Sequence, residues 1–375
     1  MRVAVTGGGT GGHVYPAAAI ADKLVTSHPG AEVVFIGSSS GPEAKVAHDQ
    51  GIDFEGLDLQ GFSGKRLIER FKALLLFARG TYRCLKMLKR RRISCVVGTG
   101  GYAAAPACFA ALILRIPLIL NEMNFEPGMV TRILSRRARV VTLAFEGTAG
   151  LLPNGSRTVV TGVPVRPEIE AIRDSEKRIG ARNEALGVFG IKEGRRTLIV
   201  FGGSQGSEAI NRAVWELLPG FAEREDLQVL HLTGKNGYEG GPRRELEERL
   251  AESLLIYRAL AYTNRMDLAY SVADLALARA GGGTIAELTA AGVPSVLVPF
   301  PHATGAHQEE NAERLADYGA TRVIRQKDDS ANDAVVEALR LMDDIEALES
   351  MSTGCADFYR GNAAKGIVDI VLELR

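Results

Sequence analysis

The sequence predicts an α/β chain built as two Rossmann-like halves, each a parallel sheet, with a phosphate-bearing ligand between them. Two glycine-rich turns carry most of that expectation. Residues 2–5 run into Gly7-Gly8-Gly9-Thr10-Gly11-Gly12-His13, and residues 197–201 run into Gly202-Gly203-Ser204-Gln205-Gly206. In each, a β-like run ends in glycines and a helix-like stretch follows. Glycines let backbone N–H groups approach an anion, and the helix N-terminus adds partial positive charge. Strands alternate with helices in both halves, the pattern of a parallel sheet wound on both faces.

In order, the first half reads as a strand at 2–5, a helix at 16–24 with one apolar face, and strands at 32–36, 93–97, 118–120, 140–143 and 158–160. The apolar stretch 102–120 is interrupted by Pro106, Arg115 and Pro117, so it reads as a buried helix and a strand, not a membrane span. Pro164, Pro167 and the charged run 173–182 read as a change of domain. The pattern restarts at 197–201 and continues with strands at 228–232, 254–259, 275–278, 295–298 and, more weakly, 323–324. Residues 355–374 read as one helix.

Bulk composition excludes several classes. A chain of 375 residues is long enough for two domains with full cores. Lys plus Arg equal Asp plus Glu at 45 each, so wholesale nucleic-acid binding gets no support. Cys84, Cys95, Cys108 and Cys355 include no C-x-x-C pair and no secretion signal accompanies them, so free thiols in a reducing compartment are expected.

Gly7, Gly9 and Gly12 satisfy G-x-G-x-x-G, whose usual meaning is dinucleotide binding. That meaning needs an acid after the second strand to hold the ribose, and Gly37-Ser38-Ser39-Ser40 supplies none. A P-loop's Lys-Ser/Thr ending is missing too. His13 closes the turn; it either caps the helix or serves in catalysis or phosphate contact. A third glycine turn, Arg279-Ala280-Gly281-Gly282-Gly283-Thr284-Ile285-Ala286-Glu287, follows an apolar strand. Thr284 is expected to start a helix and Glu287 to lie in its first turn. There the acid either complements the helix dipole or reaches past a pyrophosphate to a ribose diol.

Residues 65–92 hold eleven Lys or Arg against one acid, Glu69. An apolar stripe of Ile68, Phe71, Leu75, Tyr82 and Leu85 runs at helical spacing, with Leu67, Leu74 and Phe77 beside it and Gly80 as an expected break. A one-sided basic excess with surplus apolar residues suits an anionic membrane surface better than a solvated core helix.

Taken together, these motifs resemble the MurG family of glycosyltransferases over nearly the whole chain. The resemblance rests on the turn Gly7 to His13 with Val14-Tyr15-Pro16; Gly98-Thr99-Gly100-Gly101-Tyr102; and Glu122-Met123-Asn124 with Pro127-Gly128. It continues through Gly162-Val163-Pro164-Val165-Arg166, Gly202 to Gly206 with Asn211, Ala280 to Glu287 with Ala290-Ala291-Gly292-Val293-Pro294, and Gln308 with Asn311-Ala312. Thr131, Asn121, His307 and Val163 depart from the pattern at the edges of the cleft.

The resemblance implies a GT-B fold, two Rossmann-like domains facing a central cleft. An acceptor- and membrane-binding domain would span 1–162, joined by a C-terminal helix at about 357–375, and a UDP-GlcNAc-binding domain would span 163–356. The implied reaction moves N-acetylglucosamine from UDP-GlcNAc to the 4-hydroxyl of a lipid-linked muramoyl-pentapeptide, with inversion. By resemblance Ser204 and Arg166 meet the diphosphate, Thr263 the uracil, Glu287 the ribose beside Gly283 and Thr284, and Gln308 the sugar. Thr10 and Asn124 line the cleft, and the first two glycine loops, Gly11 and Gly12 included, hold the acceptor diphosphate.

Inverting transfer is one in-line displacement that needs a base for the acceptor hydroxyl and stabilisation of departing UDP. His13 is the candidate base, with Glu122 second, because a free histidine pKa of ~6.5 suits proton removal at neutral pH. The alternative role for His13 is orienting the acceptor diphosphate. No cofactor is expected, and no Asp-x-Asp metal motif sits at a strand end. The expected location is peripheral, on the cytoplasmic face of the membrane, with other cell-envelope proteins left open as partners. Two rivals remain: another GT-B enzyme, such as a soluble-acceptor transferase or a UDP-GlcNAc 2-epimerase, and a non-catalytic nucleotide-sugar sensor.

Overall fold

The computed structural model describes residues 1–9, 11–59, 67–203, 205–301, 307–327 and 330–374, the side chains of 67–71 excepted. The chain divides into two compact units, Met1–Arg166 with Arg360–Arg375, and Pro167–Tyr359. Each is built on a wholly parallel sheet.

The sheet of the first unit holds β1 (Arg2–Thr6), β2 (Glu32–Ser38), β3 (Asp53–Leu57), β4 (Cys95–Gly98), β5 (Leu118–Glu122), β6 (Val140–Leu143) and β7 (Thr158–Val160), in the order β3-β2-β1-β4-β5-β6-β7. Order reverses beside β1, so β1 and β4 point their C-terminal ends to the same switch point, where open α/β sheets bind ligands. Strand residues alternate between two apolar layers, as a sheet covered on both faces requires. Ala4, Val96, Leu118 and Leu120 face one layer. Val3, Val5, Val97 and Ile119 face the other. The helices are α1 (Gly11–Ser27), α2 (Glu43–Asp49), α3 (Leu67–Arg90), α4 (Ala105–Ile113) and α5 (Met129–Leu134).

The second unit carries α6 (Pro167–Ala171), α7 (Ser175–Phe189), β8 (Arg196–Phe201), α8 (Glu208–Leu217), β9 (Leu227–Leu232), α9 (Gly234–Glu239), α10 (Gly241–Arg249), β10 (Ile256–Leu260), α11 (Met266–Val272), β11 (Leu275–Ala278), α12 (Gly282–Ala291), β12 (Ser295–Leu297), α13 (His307–Ala316), β13 (Thr321–Val323), α14 (Asn332–Leu341) and α15 (Ile345–Phe358). Its strand order is β10-β9-β8-β11-β12-β13. After α15 the chain returns to the first unit as α16 (Ala363–Glu373), whose Ile367, Val368 and Val371 share an apolar layer with Val14, Ala17 and Ile20 of α1.

Several expectations need correction. Residues 355–374 are not one helix: α15 and α16 are separated by an extended Tyr359 and a left-handed Asn362 (φ 60°). The two units divide between Arg166 and Pro167, and the run 173–182 lies past that point. It enters α7, capped by Asp174, which accepts from the Glu176 and Lys177 amides at 3.1 Å; only Ala185 and Phe189 of that helix are buried, which explains its polar reading. Gly80 does not break α3. A Cβ there would stand 3.1 Å from Leu59 and 3.5 Å from Pro106, so the missing side chain lets α3 lie close on α4. The buried face of α3 is Ala73, Gly80, Cys84, Met87 and Leu88, whereas Leu75 and Tyr82 of the expected stripe are exposed. The edge strand β3 was not anticipated at all.

All four cysteines are free and buried, and burial pushes their thiols up to about 12. Among the described residues no helix is long and apolar enough to cross a membrane.

Candidate active site

In the first unit, the turns after β1 and β4 are interlocked. The Gly8 amide donates to Gly100 O at 3.3 Å and the Thr99 amide to Thr6 O at 2.8 Å. A Cβ on Gly7 would collide with Thr99, and one on Gly101 (φ +79°) with Gly8 O, so glycine is required at both. Gly11 and Gly12 open α1, whose N-terminal amides are unpaired within the helix.

Thr99 holds His13 at two points. Its hydroxyl donates to His13 O at 2.7 Å, and its carbonyl lies 2.9 Å from His13 Nδ1. A carbonyl only accepts, so in the neutral ring Nδ1 carries the proton and Nε2 the lone pair. That tautomer is the one a general base acting through Nε2 requires.

Glu122, at the end of β5, is 4% exposed. One carboxylate oxygen accepts from the Asn124 amide at 3.1 Å and side chain at 3.2 Å; the other accepts from the Gly128 amide at 2.9 Å. Both oxygens thus shape the turn that carries Asn124. Arg166, the last residue before the chain enters the second unit, is buried with its guanidinium 4.5 Å over the Tyr15 ring.

In the second unit, Gly281 caps α12, which begins at Gly282. Glu287 is therefore in the second helical turn, not the first, and Thr284 is inside the helix rather than at its start. Glu287 accepts from the Tyr270 hydroxyl at 3.2 Å, and Tyr270 is itself fully buried. The far end of α12 is closed by guanidinium groups: Arg173 donates to Ala290 O at 3.2 Å, and Arg178 donates to Ala291 O. Cations there complement the dipole and leave the glycine end electropositive. Thr263 Oγ1 accepts from the Arg265 amide at 3.0 Å, and Gln308 Oε1 accepts from the Phe300 amide at 2.9 Å. Thr10 and Ser204 lie outside the described residues.

Sequence reasoning missed three groups. Arg279, directly before the third glycine turn, is buried and donates to Val298 O at 3.1 Å, Pro299 O at 3.2 Å and Gln326 at 2.8 Å. Among the described residues it has no carboxylate partner, and burial draws its guanidinium down to about 10. A basic residue closing an apolar strand was the available signal. A buried relay also stands behind the Gly202 to Gly206 turn. Asn211 Nδ2 donates to Thr233 O at 2.8 Å, so its Oδ1 faces His231 Nε2 at 2.9 Å, and His231 Nδ1 accepts from the Tyr257 hydroxyl at 2.9 Å. A Cβ on Gly206 (φ +78°) would collide with Thr233 O, so the relay's end abuts the glycine turn. The third is Thr99, visible in the sequence only as part of a glycine turn. Among the described residues no group of three or more His, Cys, Asp or Glu could hold a metal ion.

Residues 3–143 match the glycosyltransferase family 28 N-terminal domain, and residues 197–367 match the family 28 C-terminal domain. The UDP-N-acetylglucosamine--N-acetylmuramyl-(pentapeptide) pyrophosphoryl-undecaprenol N-acetylglucosamine transferase of Moorella thermoacetica is 36% identical, over 100% of this chain and 99% of that protein. The crystal structure of Acinetobacter baumannii MurG is similar with a TM-score of 0.74 at 27% identity, covering 99% of both chains. UDP-GlcNAc 2-epimerase from Neisseria meningitidis, bound to UDP-GlcNAc, reaches 0.69 over 100% of both chains at 16% identity, a likeness of fold alone. With both family 28 domains present and a full-length relative at that identity, the chain belongs to the MurG family of N-acetylglucosamine transferases.

Proposed function

We infer that this chain is an inverting glycosyltransferase that moves N-acetylglucosamine from UDP-GlcNAc to the 4-hydroxyl of undecaprenyl-diphospho-N-acetylmuramoyl-pentapeptide (lipid I), forming lipid II for peptidoglycan synthesis. The observation that carries this reading is end-to-end identity of 36% to a transferase of that name. Both glycine-turn sites accompany it.

The second unit is the donor side. Its supports are the electropositive start of α12, the Glu287 carboxylate one turn further along, and buried Arg279 without a carboxylate partner among the described residues. A carboxylate can accept from both hydroxyls of a ribose, and an uncompensated buried cation favours an arriving diphosphate. Gln308 for the sugar, Thr263 for the uracil, and Ser204 and Arg166 for the diphosphate rest on the resemblance. The first unit is the acceptor side. His13 is the base: the Thr99 carbonyl fixes its tautomer, while both Glu122 oxygens are engaged in a turn. The acceptor hydroxyl gives its proton to Nε2 as its oxygen attacks the anomeric carbon, and the UDP oxygen leaves with the bond's electron pair. Charge growing on the diphosphate is stabilised by backbone amides and positive side chains.

The first unit also docks on the anionic inner face of the membrane through α3. Leu74 and Leu75 are exposed at 54% and 56%, and Arg79, Lys86, Lys89 and Arg90 have no ion pair among the described residues. Arg83 and Arg91 are different, since they meet Glu55 and Asp53. Phe77 is half-buried and packs edge-on against Phe109.

UDP release from UDP-GlcNAc, with and without lipid-linked acceptor, tests the reading. Release that depends on the lipid-linked acceptor is expected. Equal turnover with a lipid-free muramoyl acceptor, or epimerisation of UDP-GlcNAc without acceptor, would replace it with one of the rival enzymes.

A further inference from the structure

The ribose-binding acid missing just after β2 has a counterpart a few residues on, and it faces the other way. Glu43, the first residue of α2, is 0% exposed. Its carboxylate is folded back onto the first glycine turn, where Oε1 accepts from the Gly9 amide at 2.8 Å. Three glycines make room for it. A Cβ on Gly8 would collide with Oε1, one on Gly41 with Oε2, and one on Gly37 would stand 2.7 Å from the Glu43 Cβ and Cγ. Oε2 is buried without a hydrogen-bond partner among the described residues. Burying a carboxylate with one oxygen unsatisfied opposes folding, so stability alone does not explain the residue. What it does hold is Gly9, at φ +94°, between β1 and the start of α1. Thr99 and Gly100 hold the same turn from the other side.

We propose that Glu43 is a positioning residue for acceptor binding: by taking the Gly9 amide it fixes the course of the chain into α1, and so the direction of Gly11, Gly12 and His13. The proposal rests on the reading that this turn meets the acceptor diphosphate. One consequence is specific. The Gly9 amide is already committed to a built-in carboxylate, which leaves the diphosphate to the amides at the start of α1.

Steady-state kinetics on the full chain, with UDP-GlcNAc and lipid-linked acceptor varied in turn, separate the possibilities. Glu43→Asp keeps the charge and withdraws the oxygen from Gly9 by one methylene. Glu43→Gln keeps the reach and removes the charge. Glu43→Asp should raise the acceptor KM about tenfold with the donor KM unchanged, the effect of losing one hydrogen bond to a charged group, while Glu43→Gln stays within about threefold of the parent. A Gln variant as damaged as the Asp variant overturns the proposal, since charge rather than reach would then matter. So does an Asp variant whose donor KM rises equally and in step with a fall in melting temperature. Gly12→Asp adds a carboxylate to the exposed second residue of α1 and tests the turn itself. If it weakens acceptor binding while Glu43→Asp is silent, the proposal falls and the acceptor turn stands. If neither moves the acceptor KM, the acceptor turn falls and the proposal with it.

Discussion

Mild acid should destabilise the second unit through one side chain, His231. It is fully buried on β9, and burial draws its imidazole from 6.5 down to about 3. The relay requires the neutral ring, because Nδ1 accepts from Tyr257 while Nε2 donates to Asn211. The folded state therefore stays unprotonated at pH values where the unfolded chain binds a proton. Stability is complete above the unfolded pKa and is lost as pH falls towards the folded one. At about pH 5 the loss from this group is about 2 kcal/mol, growing to about 4 kcal/mol near pH 3. Domains are stable by only about 5–15 kcal/mol, so one residue accounts for a large share. Trp215, the single tryptophan, has its ring 6.3 Å from His231 and reports on this unit alone. Urea unfolding followed by its fluorescence, at intervals from about pH 7.5 to about pH 5, should show a falling midpoint in the parent and a flatter profile in His231→Gln. Equal slopes in the two proteins would refute the reasoning.

Three further outcomes follow from the proposed sites. His13→Ala should cut turnover about 10²–10⁴-fold while donor affinity by calorimetry stays unchanged; near-normal turnover with saturating acceptor would exclude it as the base. Glu287→Ala should weaken UDP-GlcNAc binding by about 1.5–3 kcal/mol, whereas Tyr270→Phe, which removes only the buried hydroxyl contact, should cost less. Changing Arg79, Lys86, Lys89 and Arg90 together to Gln should lower binding to anionic vesicles and activity on vesicle-embedded acceptor, at about 1 kcal/mol per charge before screening by salt. Vesicle binding indifferent to both the changes and added salt would leave α3 an ordinary solvated surface.

What the sequence revealed depended on how local each signal was. Strands such as β6 and β11 were legible to the residue because every position is buried between apolar layers. Edge strand β3 was not. Asp53, Glu55 and Gly56 break its apolar pattern, and among the described residues it pairs only with β2. The break between α15 and α16 was hidden because apolar spacing continues across Gly361 and Asn362. Glycine turns announce themselves within a few residues, so both candidate sites could be read from the sequence. Their supports could not, because they are tertiary. Glu43 meets Gly9 from 34 positions away, Thr99 meets His13 from 86, and His231 meets Asn211 from 20. Glu287 was assigned to the wrong helical turn because Thr284 looked like a cap, while Gly281 performs that role in an extended conformation.

The return of α16 to the first unit has a consequence during synthesis. The ribosome delivers the second unit whole, so residues 167–359 can collapse on their own as they emerge. The first 166 residues must wait, because the layer formed by Val3, Val5, Val14, Ala17 and Ile20 gains Ile367, Val368 and Val371 only after the whole second unit has been made. Throughout that interval the nascent chain exposes an apolar face, the kind of surface that chaperones hold and that aggregates form from. Loss of α16 would make that transient exposure permanent.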